Sequence, residues 1–176
     1  MPYVEKTVEK RYVYQGKILN LRVDEALLPN GKPCQREIVE HSGGACVLYV
    51  EDNKIAFVKQ YRYAYGESIY ELPAGKCDKD ELPQKTALRE LEEETGIVAK
   101  TVTLLHVVYP SPGYTDEKIY VYFAQNGEKA TQKLDDGEFL DVVWISTDRV
   151  KQMLSSGEIK DAKTIIALQN YFLKEV

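Results

Sequence analysis

The segment at residues 75–97, GKCDKDELPQKTALRELEEETGI, constrains this chain more than any other. Gly75 is followed after five residues by Glu81, and after seven more by Arg89-Glu90. Then come an apolar Leu91, the pair Glu93-Glu94, Gly96 and an apolar Ile97. With glycine near 7% of average usage and the other types similar, this spacing arises by chance on the order of once in 10⁸ start positions. Residues 86–95 hold good helix formers and no Gly or Pro, and Gly96 is placed to stop the helix. Pro83 suits the first turn, where a missing N–H costs little. Glu90, Glu93 and Glu94 stand at i, i+3 and i+4 and share one face, while Ala87, Leu88 and Leu91 gather on another, able to pack against a sheet. Three like charges on one face repel, and a hard divalent cation relieves this. Magnesium takes carboxylate oxygens, keeps several waters and bridges substrate phosphates. A solvated acidic face is the plainer reading of LEEE by itself. The full spaced pattern, with a glycine at each end, favours the metal.

Bulk properties narrow the classes. A chain of 176 residues supports one domain with a real core and a small extra subdomain. The net charge of −5, without a Lys/Arg cluster, argues against a nucleic-acid surface. No apolar run approaches a membrane span, and the opening MPYVEKTVEK lacks an apolar signal core, so a cytoplasmic protein without a membrane partner is expected. Cys34, Cys46 and Cys77 are odd in number and lack a CxxC, which suits a reducing compartment and a role as small apolar residues. His41 and His106 form no zinc pattern and read as structural.

Along the chain, residues 6–14, 18–28 and 33–40 read as three antiparallel strands, with Pro29-Asn30-Gly31-Lys32 as a turn. Residues 45–50 and 54–61 form a second hairpin, and 69–72 a short strand before Pro73-Ala74-Gly75. Beyond the helix, residues 98–108, 118–124 and 140–145 read as strands, and 147–155 and 162–174 as closing helices. This order fits a mixed sheet covered on both faces.

The spaced segment matches the Nudix box without a gap, and the chain resembles the Nudix hydrolases. The resemblance implies an α/β (α+β) fold: an α/β/α sandwich with a mixed sheet over residues 43–176. Residues 1–42 resemble the N-terminal antiparallel β subdomain of Nudix enzymes that act on ADP-sugars, where it serves a homodimer interface. A monomer with a self-packed hairpin is the alternative. Tyr109-Pro110-Ser111-Pro112-Gly113-Tyr114-Thr115-Asp116-Glu117 puts Pro112 sixteen residues beyond Gly96 and is similar to the ADP-ribose pyrophosphatases of this superfamily. The runs around Arg36, Arg62 and Glu71, and Asp161-Ala162-Lys163-Thr164, look like the same subfamily.

The resemblance implies hydrolysis of the pyrophosphate of a nucleoside diphosphate sugar, with ADP-ribose giving AMP and ribose 5-phosphate. Magnesium, or manganese in its stead, would sit on Glu90 and Glu94, with Glu93 in support and the Ala74 carbonyl completing a site. Arg89 would orient neighbouring carboxylates within the catalytic set. Glu81 would be outer-sphere or structural. A general base is expected on the loop at 133–139; Glu138 is chosen because it precedes the apolar strand, with Asp135 and Asp136 as alternatives. Arg36, Arg62, Glu71, Pro112, Gly113 and Glu117 are the expected substrate contacts, since bidentate arginine suits phosphate oxygens. Isolated arginines are more often surface charges, and an isolated SPG a surface loop. Among Tyr61, Tyr63, Tyr65 and Tyr70, packing is the usual role and none is assigned to the adenine. A GDP-mannose pyrophosphatase is the competing enzyme, and a non-catalytic ADP-ribose sensor the competing class.

Overall fold

A computed structural model describes residues 3–174. Residues 1, 2, 175 and 176, which belong to the expected 1–42 and 43–176 segments, lie outside the described residues.

The chain divides into two units. In the first, β1 (Lys6–Gln15), β2 (Leu19–Leu27) and β3 (Pro33–His41) form an antiparallel sheet in the order β1-β2-β3. The β2–β3 turn is built as its residues predict: Gly31 takes φ 81°, and Asn30 accepts a hydrogen bond from the Lys32 N–H at 3.1 Å. Residues 109–118 group with this sheet rather than with their sequence neighbours. The Val39 N–H donates to the Tyr114 carbonyl at 2.7 Å, and the His41 N–H to Asp116 at 3.0 Å. β1 is exposed along its whole length, Val8, Tyr12, Val13 and Tyr14 included.

The second unit spans residues 44–108 and 119–176. Its strands are β4 (Gly44–Glu51), β5 (Lys54–Arg62), β6 (Glu67–Glu71), β7 (Ala74–Lys76), β8 (Ile97–Val98), β9 (Thr103–Val108), β10 (Ile119–Ala124), β11 (Glu128–Lys129) and β12 (Leu140–Ser146). Its helices are α1 (Pro83–Thr95), α2 (Thr147–Ser156) and α3 (Ala162–Lys174). A seven-stranded sheet runs β12-β5-β4-β10-β9, with β6 on β5 and β7 on β4. β4 and β10 are parallel and the other pairs antiparallel, so the sheet is mixed, as expected.

The period of two in β4 builds both cores. Ala45, Val47 and Tyr49 face a cluster containing Ala87 and Leu91 of α1. Cys46 and Leu48 face the opposite cluster, with Val150 and Met153 of α2 and Ala167 and Leu168 of α3. A strand buried on both faces reads as a continuous apolar run, which is what ACVLYV is. The result is the α/β/α sandwich.

One expected element divides in two. Residues 98–108 do not form a single strand: β8 pairs with β11, and β9 with β10. Ala99 and Val102 between them are both buried in the α1-side core. Two inward side chains three residues apart break the alternation a strand requires. β7 and β11, three and two residues long, are too short to leave a periodic signal.

Leu91 is fully buried at the centre of the α1–sheet contact. Leu91→Ala is expected to lower the unfolding free energy by about 2–5 kcal/mol, read from the shift of a urea denaturation midpoint.

Candidate active site

The site is assembled on α1 and the segments packed beside it in the second unit. Pro83 opens the helix at N1, after Leu82 in extended conformation, and Gly96 ends it at φ 68°, donating its N–H to the Glu92 carbonyl at 2.8 Å. Arg89, one turn inside, serves three carboxylates. It donates to Glu81 through Nε at 3.1 Å and Nη2 at 3.0 Å, and through Nη1 to Glu90 at 2.7 Å and Glu93 at 2.9 Å. Glu81 also accepts from the Thr86 hydroxyl at 2.8 Å and from the Asp78 N–H at 3.3 Å. Hydrogen bonds from Arg89, with lesser help from Thr86 and Asp78, hold the Glu81 carboxyl down at about 2. Through these contacts Glu81 ties the 78–82 loop to the helix.

Gly75 explains its own place in the pattern. A Cβ there would overlap the Glu90 carboxylate, so any larger residue would displace that side chain from its place beside β7.

Glu94 is 2% exposed and accepts the Ala74 N–H at 2.8 Å, which sets Ala74 beside it. Burial pushes Glu94 up to about 8 against that hydrogen bond, and the charges of Glu90, Glu138 and Glu71 push the same way. Burial likewise raises Glu90; Arg89 opposes it, and Glu93 and Glu138 add to it. The region is thus short of positive charge. All-oxygen, carboxylate-rich donors in that condition fit a hard divalent cation. Among the described residues no three acidic, His or Cys side chains already converge as a cage. Each carboxylate is instead engaged by a protein donor, Arg89 for Glu90 and Glu93, the Ala74 amide for Glu94.

Glu138 lies within electrostatic reach of Glu90 and Glu94. It is half-buried, whereas Asp135 and Asp136 are exposed. Its N–H donates to the Asp135 carbonyl at 3.0 Å around Gly137, at φ 86°. The start of the loop is fastened to the C-terminal end of α1. Gln132 Nε2 donates to the Glu94 carbonyl at 2.6 Å, and the Lys133 N–H to the Glu93 carbonyl at 2.9 Å. These are carbonyls the helix end leaves without intrahelical partners. Nothing in the sequence pattern marks Gln132.

A second cluster adjoins these acids. Arg62, at the end of β5, donates to both oxygens of Glu71, through Nη2 at 2.9 Å and through Nε. Lys163 also donates to Glu71, and to Asp161 at 3.0 Å. Burial raises Glu71, but the Arg62 and Lys163 contacts outweigh it and hold the group below its ordinary value. Arg62 feels the charge of Glu94 as well. The sequence notes Asp161-Ala162-Lys163-Thr164 only as a likeness; the contacts with Glu71 could not be read from it.

The other expected substrate residues, Arg36, Pro112, Gly113 and Glu117, belong to the first unit. Arg36 is exposed and paired with Glu5, Nε at 2.8 Å and Nη2 at 2.6 Å, and Glu117 lies 3.4 Å from His41. Tyr70 packs edge-on against Phe57, while Tyr61, Tyr63 and Tyr65 are exposed. All three cysteines are free thiols, with Cys46 and Cys77 buried as small apolar residues.

A family model for the NUDIX domain matches residues 23–168, and one for the nucleoside diphosphate sugar hydrolase N-terminal domain matches residues 5–39. The chain belongs to the Nudix family. A divalent metal ion is the general cofactor of Nudix hydrolases. An ADP-ribose pyrophosphatase of Bacillus subtilis is 44% identical over 97% of this chain and 94% of its own length. A methanol dehydrogenase activator of Bacillus methanolicus is 41% identical over 98% and 95%. A crystal structure of an ADP compounds hydrolase superposes with a TM-score of 0.85 at 19% identity, covering 97% of this chain and 93% of that one, and shows the fold. Among the described residues no helix is long and apolar enough to cross a membrane.

Glu81 offers a test of the Arg89 hub. Its folded value, about 2, lies below the ordinary 4.5, so its contribution to stability is present above pH 4.5 and is lost as pH falls toward about 2. Glu81→Gln is expected to flatten the dependence of the melting temperature on pH across that window, measured by calorimetry.

Proposed function

We propose that this Nudix chain hydrolyses the pyrophosphate bond of ADP-ribose, with magnesium (manganese the alternative), giving AMP and ribose 5-phosphate. The observation that carries the reading is the charge-poor cluster of Glu90 and Glu94 beside Ala74, with half-buried Glu138 within reach. The substrate follows from the near full-length likeness to an ADP-ribose pyrophosphatase.

Glu90 and Glu94, with Glu93 and the Ala74 carbonyl, would hold the cation, which when bound neutralises pyrophosphate charge and acidifies water. Glu138 takes a proton from the attacking water. The water oxygen bonds to phosphorus in line as the bond to the bridging oxygen breaks, and attack on either phosphorus gives the same two products. Arg89 supports the reaction from behind by holding Glu90 and Glu93. Arg62 presents the Nη1 edge of its guanidinium, which Glu71 does not use, to the diphosphate. Within the first unit, Arg36, whose exposed pair with Glu5 is weakly held, and Pro112, Gly113 and Glu117 of the SPG loop are the residues this reading assigns to substrate.

Residues 1–42 are proposed as a dimerisation subdomain. An edge strand with Val8, Tyr12 and Tyr14 exposed invites pairing with a second copy. Sedimentation velocity is expected to give a dimer, and Val8→Glu with Tyr12→Glu a monomer; a monomeric parent protein would leave the hairpin self-packed.

Product analysis with magnesium and, in turn, ADP-ribose and GDP-mannose tests the activity. ADP-ribose is expected to be cleaved faster, with AMP and ribose 5-phosphate lost on adding chelator. Glu94→Gln is expected to lose the metal-dependent rate, and Glu138→Gln to lower kcat by about 10²–10⁴. The same loss in Asp135→Asn or Asp136→Asn, with Glu138→Gln active, would move the base. Faster cleavage of GDP-mannose would overturn the substrate. Binding of ADP-ribose without cleavage would favour a regulator, the sense carried by the name of the Bacillus methanolicus relative.

A further inference from the structure

Lys163 is a buried cation to which the hydrolytic reading gives no task. Its side chain is 13% exposed, and it bridges Asp161 and Glu71, itself 2% exposed. It stands in the first turn of α3, where the helix dipole disfavours a cation, so helix stability does not account for it. Asp161, just before the helix, caps it by accepting the Thr164 N–H at 3.0 Å and the Thr164 hydroxyl at 2.6 Å. The Thr164 hydroxyl in turn accepts the buried Leu72 N–H at 2.9 Å. The residues flanking Lys163, Asp161 and Thr164, are therefore tied to each other and to Leu72. A buried ion pair contributes little stability that packed apolar residues would not match, which points to a positional role.

Glu71 is the shared acceptor. Lys163 binds the oxygen Oε2 that also accepts Arg62 Nη2, so it sets the plane against which the Arg62 fork lies. The Arg62 side chain is 41% exposed, and its Nη1 has no hydrogen-bond partner among the described residues. We propose that Lys163 is a positioning residue which, through Glu71, aims the free Nη1 edge of Arg62 at the diphosphate. The inference rests on reading Arg62 as a phosphate contact.

The test is a double-mutant cycle on the full-length protein, with KM and kcat for ADP-ribose measured for Arg62→Gln, Lys163→Met and the double variant. Lys163→Met is expected to raise KM about tenfold with kcat little changed, the scale of one charge-assisted hydrogen bond. Lys163→Arg is expected to recover most of the loss. Because Lys163 acts through Arg62, the double variant is expected to match Arg62→Gln rather than sum the two effects. Additive effects, or a Lys163→Met protein with the parent KM, would overturn the inference while leaving Arg62 in place. An unchanged KM in Arg62→Gln would instead remove the phosphate contact itself, and the inference with it. Should Lys163→Met not fold, Glu71→Gln carries the same cycle, with the same non-additivity expected and additivity again fatal.

Discussion

Carboxylates gathered on one helix repel unless positive charge or a hydrogen-bond donor reaches each of them, and the whole site is arranged around that requirement. One guanidinium, Arg89, reaches Glu81, Glu90 and Glu93. Glu94 is beyond it and has only the Ala74 amide. The geometry around the helix follows: a Cβ at Gly75 would meet the Glu90 carboxylate, and the Glu81 loop is bent back to meet Arg89. The arginine of the box thus orders the acids, while burial and like charge keep Glu90 and Glu94 raised.

Much of this was legible in the sequence because it is local. The i, i+3, i+4 spacing of Glu90, Glu93 and Glu94, the Pro83 start and the Gly96 stop are set by helix geometry, and the buried side of α1 falls on Ala87 and Leu91 as the spacing predicts. The α/β/α layering was expected from the order of the elements and the resemblance, and the apolar run of β4, covered on both faces, agrees with it. The break at Ala99–Val102 was not, because the tertiary core takes both side chains from what reads as one strand. Nor were the contacts among Arg62, Glu71 and Lys163, or the Gln132 clasp on Glu94. The Lys163 and Gln132 contacts join residues far apart in the chain, the Arg62–Glu71 pair crosses a hairpin, and no periodicity records any of them.

The two units differ in what the sequence says of them. The Nudix domain model begins within β2 and runs to α3, so the family pattern reaches into the first sheet as well as the second. Residues 109–118 carry the SPG run and are shared in sequence with the catalytic unit but grouped with the first sheet.

β4 is paired with β10 in parallel, Gly44 opposite Ile119, and it is the strand both cores rest on. Parallel neighbours so distant along the chain cannot meet until residue 124 of the 176 has been made. During synthesis the carboxylate helix is therefore made long before the central sheet that backs it can close. β4 and β7 precede it in the chain, so the Ala74 amide and part of its apolar floor are already made, and the strand still missing is β10. The nascent polypeptide spends that interval with its central sheet open along the edge of β4 that β10 later pairs.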